Sequence, residues 1–285
     1  MSWNNRPAKD WWAADGNGTF GAIHRVDMLR KRLAAFQASG QKHDIASMIE
    51  IMADAGFTDL RGQEVLPLLL QIMQLGSLTA DQEQIVTLMQ DWIDETSSAA
   101  WIGPTAKGLG AMRRDRDGDG KYDFRAQVVL MDAWYPRLID AMLPQLTAID
   151  SAGFSVLQGR YDAPRGQGSA FQEGWFEHMK RVLETALGTP SHANYRQLKC
   201  ADGTQAGCRT AVLNALDMAL EDLGGLSNMA SWTGAPSRME DCPSSPCPVE
   251  EYDSVRHSSF SFLPVPAMPW VNRPTFQQAV QVRSP

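Results

Sequence analysis

Between residues 26 and 93 apolar side chains return every three or four positions, the period of helices that bury one stripe and solvate the other. Val26, Leu29, Leu33 and Phe36 make the first stripe, which places Arg30, Lys31 and Arg32 on the opposite, solvated side. A second helix is predicted from Asp44 towards Asp54, burying Ile45, Met48, Ile49 and Met52 and stopping at Gly56. Asp59 to Gln74 reads as a third, bent at Pro67. Thr79-Ala80-Asp81-Gln82 carries the S/T-x-x-E/Q pattern, in which hydroxyl and amide satisfy free backbone donors. It opens a fourth helix through Ile85, Leu88, Met89, Trp92 and Ile93.

Beyond a Gly-rich stretch the helical period resumes from Arg125 to Leu143, with a bend expected at Pro136, then from Ala170 to Leu187 and from Thr204 to Leu223. The end of the chain changes character. Ser258 to Leu263 and Phe276 to Val282 are short, alternate polar with apolar, and flank a Pro-rich stretch, so they are predicted strands. The fold class is therefore α+β and mainly helical. Residues 1–23 form an irregular connector, 24–255 a helical region and 256–285 the strands. Two short strands with no evident partner in the chain predict a sheet completed from elsewhere, because unpaired apolar strands invite aggregation.

Composition narrows the function. The 285 residues are 44% hydrophobic, enough to bury a substantial core. The formal net charge of -7 is spread over mixed-sign segments with no basic stripe, which disfavours a nucleic-acid partner. No apolar run approaches the ~20 residues of a membrane span, and the longest, Val65 to Leu70, contains Pro67. The chain reads as soluble, without a membrane partner, and no basic region followed by an apolar stretch marks a secretory signal at its start.

Four cysteines fall into two close pairs, Cys200 with Cys208 and Cys242 with Cys247. Even pairing within loops fits disulfides and an oxidising compartment. A zinc site, although neither pair has C-x2-C spacing, and reduced thiols remain open alternatives. Asp115-Arg116-Asp117-Gly118-Asp119-Gly120, with Asp123 following, sets carboxylates at alternate positions around glycines, a pattern that can wrap calcium. The loop spans residues 113–124. An EF-hand would carry an acidic residue where Ala126 stands, and a solvated acidic turn fits the same residues.

Three ordered elements carry a family resemblance. Trp3-Asn4-Asn5-Arg6-Pro7 resembles the W-N-N-x-P segment in the large subunit of penicillin acylases, which are amide-cleaving N-terminal nucleophile hydrolases. Ile23-His24-Arg25-Val26-Asp27 resembles their helix start some twenty residues on, and Trp270-Val271-Asn272-Arg273-Pro274-Thr275 resembles the strand entry near the end of that subunit. The resemblance implies the C-terminal part of an αββα fold. It also implies that the small subunit and the N-terminal catalytic serine lie in an upstream part of the same precursor, which would be the partner of this chain.

The resemblance gives roles to named residues. Asn4 matches the asparagine whose amide donates to the tetrahedral oxyanion, a task suited to a neutral donor. Arg25 matches the arginine that organises the site, and Asp15 a calcium ligand. Taken without the other elements, Asn4-Asn5 is ordinary turn chemistry, Arg25 a solvated helix-start arginine and Asp15 part of an Asp-Gly-Asn turn. Removal of Met1 would expose Ser2 with a free α-amine, but a nucleophile two residues from its own oxyanion donor cannot be held independently of it. The implied enzyme hydrolyses a linear amide, such as the acyl side chain of a β-lactam antibiotic or an acyl-homoserine lactone. It would work in the periplasm or outside the cell without an organic cofactor, and this chain alone would be inactive. The alternative is a non-catalytic extracellular helical module that binds calcium or a partner.

Overall fold

The computed structural model describes residues 24–40, 42–95, 109–144, 176–194, 198–235 and 248–252, with four two-residue strands beyond. Asn4, Asp15, Cys242, Cys247 and the predicted strand from Phe276 to Val282 lie outside the described residues. Where it is described, the chain is mainly helical. Helices α1 (His24–Ala38) and α2 (Ile45–Phe57) lead through a π-helical turn (Arg61–Val65) into α3 (Leu66–Met73) and α4 (Ala80–Ile93). After them come α5 (Arg125–Met142), α6 (Phe176–Ala186), α7 (Gln205–Asp222) and the short α8 (Val249–Tyr252).

The predicted helix starts are present. Thr79 Oγ1 accepts from the Gln82 amide at 3.2 Å while Gln82 Oε1 accepts from the Thr79 amide at 3.2 Å. Asp44 forms a similar box with Ser47, and Thr204 Oγ1 caps the Gly207 amide. The bend expected at Pro67 takes another form. Proline has no N–H for the carbonyl four residues back and its ring crowds that carbonyl. The chain widens just before it into the π turn, where the Leu66 amide reaches the Arg61 carbonyl and Pro67 falls in the first turn of α3. Helix α2 runs past its predicted stop at Gly56 to Phe57, and α5 continues as one helix through Pro136.

The first two helices are rotated from their predicted faces. Arg32, expected in solvent, is fully buried together with Leu29 and Phe36. On α2 the buried residues are Ser47, Ile51, Asp54, Ala55 and Gly56, whereas Ile45 and Ile49, expected inside, are 41% and 54% exposed. The two rotations have a shared consequence. They carry opposite charges, Arg32 and Asp54, into the same part of the interior, where each acts electrostatically on the other.

Helix α5 is the centre of the core. Every residue from Gln127 to Pro136 is buried, the mark of a helix covered on all sides. Helix α7 packs along it and in turn meets α3, which touches α4, α6 and the π turn. Trp134 Nε1 donates to the Val212 carbonyl at 3.3 Å and Trp92 Nε1 to the Met112 carbonyl at 3.0 Å, so both large indoles are buried with their polar atoms paired. Residues 109–113 run between the ends of α2 and α4. The Ala111 amide donates to the Trp92 carbonyl at 2.8 Å, and the Arg113 amide to the Phe57 carbonyl at 2.9 Å. At Gly110 a Cβ would stand 2.1 Å from the Ile93 carbonyl oxygen, so only glycine permits this backbone-to-backbone approach.

The C-terminal strands pair within the chain. Ser258–Ser259 lies antiparallel to Leu263–Pro264, and Ser254–Val255 to Met268–Pro269. The predicted strand from Ser258 to Leu263 is thus split and doubled back, its first residues pairing with its last, so it has a local partner. Among the described residues no helix is long and apolar enough to cross a membrane.

Asp132, inside the all-buried α5, accepts from Arg61 Nη2 at 2.7 Å and from Arg113 Nη2. Asp59 completes the set, with its Oδ2 at 2.7 Å from Arg61 Nη2 and 3.0 Å from Arg113 Nε. Two carboxylates and two guanidiniums therefore balance in the interior. Asp132→Ala should lower unfolding free energy by about 3–5 kcal/mol, because two buried cations lose a counter-charge. Urea denaturation measures this, and a loss under about 1 kcal/mol would show the network to be dispensable.

Burial alone would raise the Asp59 carboxyl, but Arg61 and Arg113 outweigh it and hold the group far below the usual range. Glu64 is likewise lowered, with Lys31 and Lys180 overcoming its burial. Folded-state values below the unfolded ones mean that this stability is intact above the unfolded carboxylate range and is lost as pH falls through the folded values. Stability should hold from pH 8 to about pH 5 and decline below about pH 4. Urea midpoints across that range test it, and a midpoint unchanged down to about pH 3 would show that these carboxylates contribute no pH-dependent stability.

Candidate functional site

Arg25 stands in the first turn of α1, and the geometry that bears on it is how α1 is held. Arg32, two turns further on, donates through Nη2 to Thr58 Oγ1 at 2.7 Å and reaches Met112 Sδ at 3.5 Å. Burial pushes its guanidinium down to about 10, against the raising effect of Asp54, so it stays cationic at neutral pH. The neighbouring Lys31 pairs with Glu64 on the π turn, and Lys180 of α6 joins the same carboxylate at 2.6 Å. Successive α1 side chains are therefore tied to the ends of α2 and the π turn. Arg25 occupies the helical register of Leu29, Arg32 and Phe36, four, seven and eleven residues ahead of them.

The acidic loop begins directly after Met112, which Arg32 touches. Arg113, Arg114 and Arg116 each turn to a different carboxylate. Arg113 enters the Asp59–Asp132 set, Arg114 Nη1 reaches Asp54 Oδ1 at 2.8 Å, and Arg116 pairs with the buried Glu95 and lies 3.4 Å from Asp123 Oδ2. Gly118 and Gly120, at φ +75° and +84°, adopt the left-handed backbone that lets the loop fold back. Asp115 accepts from the Gly118 and Gly120 amides at 2.7 and 2.9 Å.

This folding gathers Asp115, Asp117 and Asp123, each with a carboxylate oxygen within 4.8 Å of the others. Asp119 stands outside the group, its Oδ1 accepting from the Lys121 amide at 2.8 Å. Three carboxylates this close could hold a hard divalent cation, with water or carbonyl oxygens completing six to eight ligands. The Arg116 guanidinium on Asp123 is the competitor such an ion would meet.

The cysteine pair expected at Cys200 and Cys208 is bridged. Sequence reasoning did not find Arg32, Glu64 or the paired Asp59, Arg61, Arg113 and Asp132. A charged residue falling on the register of an apolar stripe, as Arg32 does beside Leu29 and Phe36, was the available signal.

A model of the penicillin amidase family matches residues 1–256. The match takes in Trp3-Asn4-Asn5, Arg25, the helical core and the acidic loop. No curated protein matches the chain. With nearly the whole sequence covered by one family model, the chain belongs to the penicillin amidase family.

Proposed function

We propose that this chain takes part in hydrolysing a linear carbon–nitrogen amide bond, with Asn4 and Arg25 contributing to the active site. The observation that carries the proposal is the family match over residues 1–256, which spans both residues together with the helices behind them. The anchoring of α1 through Lys31 and Arg32 supports a fixed position for Arg25.

In the proposed reaction an N-terminal serine, on the partner part of the same precursor, attacks the amide carbonyl while its own α-amine takes the hydroxyl proton. The Asn4 amide donates to the oxyanion that develops. The C–N bond breaks as the amine leaves with a proton, and water then releases the acyl group from the serine. Arg25, always charged and rich in donors, holds carbonyl and carboxylate groups around the site in place. The αββα sheet would be completed between this chain and that partner. Acyl side chains of β-lactams and acyl-homoserine lactones are the candidate substrates, and a periplasmic or extracellular setting suits the Cys200–Cys208 bridge.

Calcium belongs to the same proposal. The loop of Asp115, Asp117 and Asp123 would take one ion, and Asp15 would contribute to a second with ligands from the partner. Their work would be to fix loop and connector, apart from the chemical step.

The purified chain alone should give no turnover of a chromogenic acyl anilide, and activity should appear on co-expression with the serine-bearing part. Robust hydrolysis by the chain alone would overturn the division of labour. In the reconstituted enzyme Asn4→Ala should reduce kcat by about 10²–10³, and an unchanged rate would remove Asn4 from the site. Calcium at a hundredfold excess over its Kd should stabilise the chain by about 2.7 kcal/mol. Thermal melts with and without the ion read this, and the effect should vanish in Asp115→Asn/Asp117→Asn. A melt indifferent to calcium in the parent chain would exclude the loop as its site.

A further inference from the structure

Three helices end against one short segment. The carbonyl of Met142, the last residue of α5, accepts from the Ala201 amide at 2.9 Å. The carbonyl of Ala186, the last of α6, accepts from Gln205 Nε2 at 3.1 Å. The carbonyl of Met73, the last of α3, accepts from Arg209 Nε at 2.9 Å, and Arg209 Nη2 continues to the Ser77 carbonyl at 2.5 Å. Carbonyls in a final turn have no partner within their own helix, and these bonds supply one at each of the three ends.

Ala201 and Gln205 lie within the loop that the disulfide between Cys200 and Cys208 closes, and Arg209 directly follows it. Both cysteines are buried, 3% and 0% exposed. Within the closed loop Ala201 holds φ +52°, a left-handed conformation that a side chain resists. Asp202 Oδ1 accepts from the Thr204 amide and hydroxyl, both at 2.8 Å. At Gly207 a Cβ would stand 2.0 Å from that same oxygen, so the turn closes tightly on its own first residues.

We propose that the Cys200–Cys208 segment is a redox-dependent clamp whose closure sets the turn that caps α3, α5 and α6 together. Two thiols exchange with one low-molecular-weight disulfide, forming the Cys200–Cys208 bond and releasing two equivalents of the small thiol. Once the bridge is buried, a reductant reaches it only when the segment opens, so the clamp resists reduction in the folded chain. Its reduced form keeps the apolar packing of α5 on α7 but loosens three helix ends at once.

Hydrogen exchange of the oxidised chain against Cys200→Ser/Cys208→Ser separates this from a merely local bridge. The amides of Gln74, Leu143 and Leu187, each bonded within a last turn of α3, α5 or α6, should exchange faster in the variant by about tenfold or more. The Asp94 amide at the end of α4, which the segment does not cap, should keep its rate. Acceleration confined to residues 198–210, or equal acceleration at Asp94, overturns the proposal. Should the double variant fail to fold, two single variants with the bridge intact decide. Gln205→Ala should speed exchange at Leu187 alone and Arg209→Met at Gln74 alone, and unchanged rates in both would refute the capping role.

Discussion

Charge compensation inside an apolar core is the constraint on which this fold rests. Helix α5 is buried on all sides and yet carries Asp132. An unpaired carboxylate there would be prohibitive, so two guanidiniums must come to it. They arrive from different places, Arg61 from the π turn and Arg113 from the segment between α4 and α5, and Asp59 restores neutrality. Buried ion pairs contribute little net stability compared with apolar packing, but they tolerate few wrong arrangements. Here the four groups fix the relative register of α5, the π turn and residues 109–113.

The same constraint propagates outward to the regions with chemical potential. Arg113, Arg114 and Arg116 stand at the start of the acidic loop, and each is paired to a carboxylate on a different helix or helix end. The loop that gathers Asp115, Asp117 and Asp123 thus springs from a segment pinned at three points. Beside it Arg32 and Lys31 hold α1, and at 1.5 Å per residue Arg25 lies about 10 Å along the helix from Arg32. A rigid helical platform behind Arg25 suits the role proposed for it, since electrostatic preorganisation needs a donor in place before charge develops.

What was legible in the sequence was local. The Thr79–Gln82 box, the Asp44 and Thr204 caps, the Cys200–Cys208 bridge and the gathering of Asp115 with Asp117 and Asp123 all involve residues within nine positions of one another. Short-range rules suffice there because the chain has few ways to connect such neighbours. Asp59 and Arg113 are 54 residues apart, and no local pattern marks their meeting. The π turn was visible only as a disturbance at Pro67, because the ring's clash with a carbonyl can be relieved by bending the helix or by widening it. At the active-site end, the family motif assigned Asn4 a role, although that residue lies outside the described part of the chain.

The rotation of α2 shows why periodicity gave way. Turning the helix to bury Ile45 and Ile49, 41% and 54% exposed, would recover about 0.8–1.5 kcal/mol apiece. It would also carry Asp54 outward, away from Arg114 and from the field it shares with buried Arg32. Arg32 would then be a buried cation without that carboxylate, whose attraction opposes the burial that lowers its guanidinium, although burial also holds Asp54 itself above its usual range against the pull of Arg32 and Arg114. The observed orientation keeps a counter-charge beside buried Arg32, and two exposed isoleucines accompany it. Hydrophobic periodicity therefore identifies these helices, while the few charges that must be buried decide which way they face.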